Sequence, residues 1–208
     1  MRRVLVVAAV PQELRDFRPD SSARAESLVT GMGGRRSGQA VKRRLWAGGV
    51  DLVVSAGFAG GARPGFEVGD LVMASEVIDA HSQDRRRPDP SLLTLGGGAS
   101  IGPFVTVDRV LSQPQAKSDL GTRFGAIAVD MESAAVAQAA EEAGLPWVAV
   151  RAILDPMELP LRVGSAAQAI RLLASPGRWK ELSGFLRMVR AASRSLAVGL
   201  HSLLERRG

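Results

Sequence analysis

The chain has 208 residues, of which 46% are apolar and 23% charged, an ordinary composition for one globular domain with its own core. Cysteine is absent and histidine occurs only at His81 and His201, which argues against a disulfide framework, thiolate chemistry, a histidine zinc site and a Ser-His-Asp triad. The formal charge of +6 suits an acidic partner such as phosphate, nucleic acid or an anionic membrane, and equally suits arginines spread over solvated faces.

Val4 to Val10 is a continuous apolar run, the pattern of a central parallel strand buried on both faces. Pro11 ends it, and Glu13 sits just beyond. The run and its two preceding arginines superficially resemble a signal peptide, but Pro-Gln-Glu stands where a small-residue cleavage site would be. Ala23 to Met32 reads as a weaker strand, Ser37 to Trp46 as a helix, and Asp51 to Ala56 as another apolar strand. That strand runs into Gly57-Phe58-Ala59-Gly60-Gly61, read as a small-residue turn where backbone approaches a ligand closely. Gly69 to Ala80 has strand character, and His81 to Pro90 is a polar, basic segment expected to be a mobile loop. Ser100 to Val107 reads as a strand, and Lys117 to Phe124 as a short helix or loop.

From Gly125 to Asp155 the pattern is strand, turn, helix, strand. Ala126 to Val129 is a short apolar run, and Met131 to Ala143 is rich in helix formers. Gly144 supplies the stop, and Trp147 to Leu154 is a second apolar run. Asp130, Glu132 and Asp155 fall where these elements end, and strand carboxyl ends border the ligand crevice of an open parallel sheet. A long helical region from about Arg178 to Arg206 closes the chain, with a break expected near Gly184 or Gly199. Its apolar positions Leu182, Phe185, Leu186, Val189, Leu196, Leu200 and Leu203 recur mostly at three- and four-residue steps. Arg187, Arg190, Arg194, Arg206 and Arg207 interrupt that stripe, so it fits either a sheet or an anionic membrane surface. No segment reaches the roughly 18–20 apolar residues of a spanning helix. A cytoplasmic protein is expected, with peripheral contact at the inner membrane face left open.

Three blocks carry a family resemblance: VLVVAAVPQEL, SAGFAGGARPGFEVGDLVMASEVIDAH and AVDMESAAVAQAAEEAGLPWVAVRAILD. In this order they resemble the nucleoside phosphorylase and nucleosidase superfamily, the purine and uridine phosphorylase family. Within it the chain is most similar to the hopanoid-associated phosphorylases, assigned to removing adenine from adenosylhopane. That likeness rests on Asp130-Met131-Glu132-Ser133, VDRVLSQPQAKSDL, the stretch from Asp155 to Leu161 with its Leu159-Pro160, and the tail from Ser175 to Leu200. The resemblance implies one α/β domain over residues 1–208, with a mixed, mostly parallel twisted sheet flanked by helices and a long C-terminal helix. It also implies a homodimer that uses no cofactor and no metal, with phosphate as co-substrate if the reaction is phosphorolysis.

Cleaving a purine N-glycosidic bond needs an acid near the purine, groups on the ribose hydroxyls and an oriented nucleophile on the opposite face. Acid assistance of this kind is worth roughly 10²–10⁴-fold in rate. By resemblance Asp155, closing an Arg-x-x-x-Asp strand, is the acid that protonates the purine. Glu132 holds ribose hydroxyls and Met131 packs on the sugar. Glu13 orients the attacking water, and Arg151 helps organise that water and Glu132. Without the resemblance these residues read as a turn aspartate before Pro156, helix-start chemistry at Met131-Glu132, a first-turn acid and an exposed strand arginine.

The chain departs from the adenosyl-nucleosidase pattern at two places. Gly57, Phe58, Ala59 and Gly60 line the substrate, but Phe58 stands where those enzymes have a small serine. Val110 falls near the position of a phenylalanine that stacks on adenine, so stacking is lost or passes to Phe58. Both changes concern the substrate and leave the cleavage machinery untouched. Pro11-Gln12-Glu13 occupies the turn where hexameric phosphorylases carry an arginine, and a carboxylate there repels phosphate. The remaining basic candidates are Arg35, Arg36 and Arg85 to Arg87, with Gly33-Gly34-Arg35-Arg36 as an anion-binding turn. Residue chemistry leans toward water and the subgroup's name toward phosphate.

The leading expectation is therefore adenine release from a nucleoside with a large apolar, lipid-linked 5′ substituent. Methylthioadenosine, adenosylhomocysteine or futalosine are the alternative substrates, and a non-catalytic nucleoside-binding protein is the alternative class. Nucleic-acid binding ranks last, because the chain has no Tyr and only 6 Phe and 3 Trp to stack on bases.

Overall fold

The computed structural model describes residues 3–19, 25–94, 98–158 and 179–205. The expected features at Ala23, Leu159-Pro160, Arg206 and Arg207, and the side chain of Leu182, lie outside the described residues. The strands are β1 (Val4–Ala8), β2 (Ala25–Val29), β3 (Leu52–Gly61), β4 (Leu71–Asp79), β5 (Arg85–Arg86), β6 (Ser100–Thr106), β7 (Ala128–Asp130) and β8 (Trp147–Asp155). The helices are α1 (Gly34–Trp46), α2 (Pro90–Leu93), α3 (Pro114–Phe124), α4 (Ser133–Glu142) and α5 (Trp179–Glu205), with a 3-10 turn at Pro11–Leu14.

All eight strands join one sheet, mixed and mostly parallel. β1 lies between β2 and β3, parallel to both. β3 also pairs in parallel with β8, and its last residues pair antiparallel with β7. β8 crosses antiparallel to β4, β4 runs parallel to β6, and β6 parallel to β7. Following those pairs from β3 through β8, β4, β6 and β7 leads back to β3, so part of the sheet closes into a ring. This closure brings the ends of β7 and β8 together with the turn after β1.

Strand side chains alternate between two faces, and the core divides accordingly. Leu5, Val7 and Val53 pack with α1 and α4 through Val41, Val136 and Ala140. Val4, Val6, Leu52 and Val54 pack with α5 through Ala192, Leu196, Leu200 and Leu203. The apolar stripe of α5 is thus taken up by the sheet, leaving Leu186 and Val198 as its exposed large apolar side chains among the described residues.

Three local expectations need correction. Gly57 to Gly61 is not a turn but the second half of β3, paired with β8 from Gly57 opposite Arg151 to Gly60 opposite Asp155. Its small residues serve crowding: a Cβ on Gly60 would meet Lys117 Cδ at 3.3 Å, and one on Gly61 the Met157 nitrogen at 3.3 Å. Secondly, α5 runs unbroken through Gly184 and Gly199. Gly199 instead allows close packing, since a Cβ there would lie 2.9 Å from Leu71 Cδ1. Thirdly, the basic segment after His81 is tied down. Arg85 and Arg87 pair with the buried Glu76, Arg86 pairs with Glu141, and Arg85–Arg86 adds β5 to the edge of β4. α3 begins at Pro114 in its first turn and stops at Gly125, whose φ of 67° is the left-handed cap conformation glycine favours.

Candidate functional site

The end of β1 passes into the 3-10 turn at Pro11, which folds Glu13 back over the strand. Glu13 Oε2 accepts the amides of Ala9 at 2.7 Å and Val10 at 3.0 Å, and Oε1 accepts that of Phe58 at 2.8 Å. A carboxylate has about four lone-pair positions, so one remains, on Oε1. Burial pushes the Glu13 carboxyl up from its ordinary range, while these amides and the charge of Arg151 pull it back. The neighbouring Gly57 leaves the necessary space, since a Cβ on it would fall 2.6 Å from Glu13 Oε1.

β7 ends at Asp130, and Met131 and Glu132 lie in the bend before α4. Glu132 Oε1 accepts the Gly33 amide at 2.8 Å, from the start of α1. Burial raises the Glu132 carboxyl to about 7, helped by the negative charge of Asp130 and opposed by the Gly33 amide and Arg151. The glycine turn expected to cradle an anion therefore turns an amide toward a carboxylate.

Arg151, 2% exposed, lies under this floor. Its Nε and Nη2 meet Asp130 Oδ2 at 3.0 and 2.8 Å, and its Nη1 donates to the carbonyls of Ser55 and Val150. Nη2 also donates to Ser55 Oγ at 2.9 Å and Ser133 Oγ at 2.7 Å. These contacts occupy all five N–H groups of the guanidinium. Asp130 is held further by Thr106 Oγ1, by the Ser133 amide and by a short hydrogen bond from Ser133 Oγ. Arg151 thus acts on Glu13 and Glu132 through its charge, with its hydrogen bonds spent on Asp130, the two serines and the Val150 carbonyl.

Asp155 closes β8 and is 5% exposed. Its Oδ2 meets Lys117 Nζ at 2.9 Å, while Oδ1 is, among the described residues, the one buried side-chain polar atom without a hydrogen-bond partner. Burial raises the Asp155 carboxyl to about 6, and the hydrogen bond and charge of Lys117 oppose that rise.

A cavity of about 390 Å³ collects these groups. Glu13, Phe58, Ala59, Gly60, Val110, Met131, Glu132 and Asp155, all expected from the sequence, line it. Gly57 and Arg151 do not line it; they lie one layer behind, against Glu13 and Asp130 respectively. The wall also contains Lys117 and Leu154, which the sequence assigns to no site, and Phe185, Leu186 and Val189 from the apolar stripe of the C-terminal helix. Lys117 does leave a trace, since Lys117, Gly121 and Phe124 occupy one helix face and all three are buried. The candidate phosphate residues Arg35, Arg36 and Arg85 to Arg87 are not on this wall; Arg35 and Arg86 border a separate cavity of about 1020 Å³. Among the described residues no group of three His, Cys, Asp or Glu side chains could hold a metal ion, and no helix is long and apolar enough to cross a membrane.

The sequence profile of the Phosphorylase superfamily matches residues 25–166, and the chain belongs to that superfamily. The chain is 32% identical over 131 residues to the 5'-methylthioadenosine/S-adenosylhomocysteine nucleosidase of Geobacillus thermodenitrificans, covering 50% of this chain and 55% of that protein. To the nucleosidase of the same name from Mycobacterium tuberculosis it is 26% identical over 203 residues, covering 74% of this chain and 80% of that protein. The chain spans about half the length of the first curated relatives it matches. Among solved structures, the Helicobacter pylori 5'-methylthioadenosine/S-adenosylhomocysteine nucleosidase complexed with a substituted pyrrolidin-3-ol superposes with a TM-score of 0.75 at 18% identity, covering 99% of this chain and 98% of that one. A futalosine hydrolase mutant of the same organism gives 0.75 at 18% identity, covering 99% and 100%. At these identities the structural likeness carries the fold, which is that of the nucleosidases.

Proposed function

We propose that this chain cleaves the N-glycosidic bond of an adenosyl compound and releases adenine. The observation that carries the reading is Asp155, whose buried Oδ1 has no partner, on the lining of a cavity that also bears Glu13 and Glu132. A buried polar atom without a partner is costly, and a ligand acceptor relieves that cost. In the proposed reaction Asp155 Oδ1 gives its proton to purine N7, and the C1′–N9 bond breaks with its electron pair passing to the base. Glu13, using its remaining Oε1 lone pair, orients a water and receives its proton as the oxygen bonds to C1′. Glu132 holds the ribose hydroxyls with Met131 against the sugar. Arg151 fixes Asp130 and Ser133 beneath them. Phe58 and Val110 border the base.

Water is the preferred nucleophile. Glu13 and Glu132 face the cavity, and the arginines suggested for phosphate are turned to other partners or other surfaces. The 5′ substituent is proposed to be large and apolar, because Leu154, Phe185, Leu186 and Val189 give the cavity an apolar lining. Adenosylhopane fits this description. Methylthioadenosine or adenosylhomocysteine is the second reading, favoured by the names of the relatives at 26–32% identity. A homodimer in the cytoplasm is part of the same proposal.

Adenine release over a panel of 5′-substituted adenosines, with and without phosphate, tests this. The expected outcome is release without phosphate, fastest for apolar 5′ groups, and a loss of roughly 10²–10⁴-fold in Asp155→Asn. Release that requires phosphate overturns the choice of water, and methylthioadenosine outpacing every lipid-like analogue overturns the choice of substrate.

A further inference from the structure

Lys117 is 1% exposed and sits on the inner face of α3 with Gly121 and Phe124. Its ammonium meets Asp155 Oδ2 at 2.9 Å and donates to the carbonyls of Pro156 at 2.9 Å and Asp155 at 3.4 Å. Placing a lysine and an aspartate together out of water is expensive and often no more stabilising than apolar packing. Lys117 is the one charged member of a buried helix face that otherwise carries a glycine and a phenylalanine.

We infer that Lys117 is a positioning residue for the acid: it binds Asp155 Oδ2 and the backbone at the end of β8, leaving Oδ1 alone to pass a proton to the bound purine. This rests on the reading of Asp155 given above. When Oδ1 releases its proton to N7, the carboxylate formed already touches a cation, so no reorganisation is needed to stabilise the new charge. The lysine thereby makes Asp155 a stronger acid than its burial alone would allow, and it sets the pH above which the acid is spent.

Burial and Lys117 act in opposite directions on Asp155, with burial the larger, and the carboxyl lies at about 6. The other charged groups on the cavity are Glu13 on the turn after β1, Arg109 after β6, and Asp130 and Glu132 at the end of β7. Arg151, on the same strand as Asp155, is engaged with Asp130. Among the described residues, Lys117 is the one cation in contact with Asp155.

The test compares the full chain with Lys117→Met and Lys117→Gln. One readout is the carboxyl titration of Asp155 by NMR in protein labelled with 13C-aspartate, assigned through Asp155→Asn. The second is the pH profile of kcat and kcat/KM for adenine release. The titration and the alkaline limb are both expected to move up by about one to three pH units when the lysine charge is removed. The maximum rate of the profile is expected to fall, with KM changing less than kcat. Because the chain contains no cysteine, Lys117→Cys can be alkylated with 2-bromoethylamine in urea and refolded to carry an ammonium at this one position. A titration raised in the unalkylated Lys117→Cys protein and returned to the wild-type value by alkylation supports the inference even if the Met and Gln variants are too unstable to assay. Lower melting temperatures with an unmoved titration would reduce Lys117 to a strut and overturn it. A shifted titration in a protein that cleaves no nucleoside would leave the positioning of Asp155 intact and sink the nucleosidase reading.

Discussion

Glu13 occupies its place because Gly57 lacks a side chain. A Cβ at Gly57 would stand 2.6 Å from Glu13 Oε1 and 3.1 Å from Cδ. The carboxylate cannot swing away cheaply, because three amides hold it, each of which would be left unsatisfied on departure. Gly57→Ala is therefore expected to keep the fold and to displace Glu13, the group proposed to orient the nucleophile. Misplacement on the ångström scale costs on the order of 10²-fold in rate. Adenine release measured beside a thermal melt checks this; a wild-type rate would show that Glu13 need not sit where it does. The residue types of Glu13, Glu132 and Asp155 were legible from the family blocks, but the burial and partners that tune them were not. Arg151 illustrates the difference. Its identity was readable, yet the resemblance put it beside Glu132 and the water, whereas the folded chain commits its N–H groups to Asp130, Ser55, Ser133 and Val150.

Elements meet the site through their small residues. α3 approaches the end of β3 so closely that a Cβ on Gly121 would overlap the Ala62 carbonyl oxygen at 2.0 Å. That approach puts Lys117, one turn earlier, on Asp155. Gly121→Ala must push the helix outward, at a cost of about 1–3 kcal/mol by the usual range for overpacking. Gly184 in α5 is the opposite case, where an added Cβ would meet nothing within 4 Å. Gly184→Ala should stabilise the helix by roughly 0.5–1 kcal/mol. Urea denaturation of the two variants decides between these signs, and equal effects would mean that neighbouring atoms do not set the response. The strand and helix runs were visible from periodicity, including the strand–helix–strand unit around Glu132. The glycine segment at the end of β3 reads locally as a turn, but strand pairing on both sides, with β7 and β8, overrides glycine's preference for turns. The unbroken α5 has a similar cause, since packing against β8 and β4 holds Gly199 in the helix.

For the whole molecule, the cluster of buried carboxyls makes stability depend on pH. Glu132 lies at about 7 and Asp155 at about 6, and Glu13 is also raised, in each case chiefly by burial. Between the ordinary carboxyl range and about pH 7 the folded chain keeps protons that the unfolded chain gives up. Stability is therefore greatest at the acidic side of that window and falls as pH rises through about 6 and 7. The carboxylates of Glu26 and Glu142 are lowered by Arg44 and Lys42, but these pairs are solvent-exposed and add little. Urea midpoints at about pH 5 and about pH 8 should show the more stable protein at the lower value, with the slope reduced in Glu132→Gln. A midpoint that rises with pH would contradict the burial of these groups.

Apolar runs and helix formers are local signals, and they carried the α/β class and most element positions, whereas the acidic residues of the candidate site were singled out through the family blocks. The partners of those acids lie far along the chain: Gly33 and Glu132 are 99 residues apart, Ser55 and Arg151 96, and Lys117 and Asp155 38. Periodicity within one element specifies which face is buried but not which neighbour will cover it. Strand register and the closing of β3, β8, β4, β6 and β7 into a ring made those choices. That closure gave Asp155 one oxygen on a lysine and left the other buried without a partner.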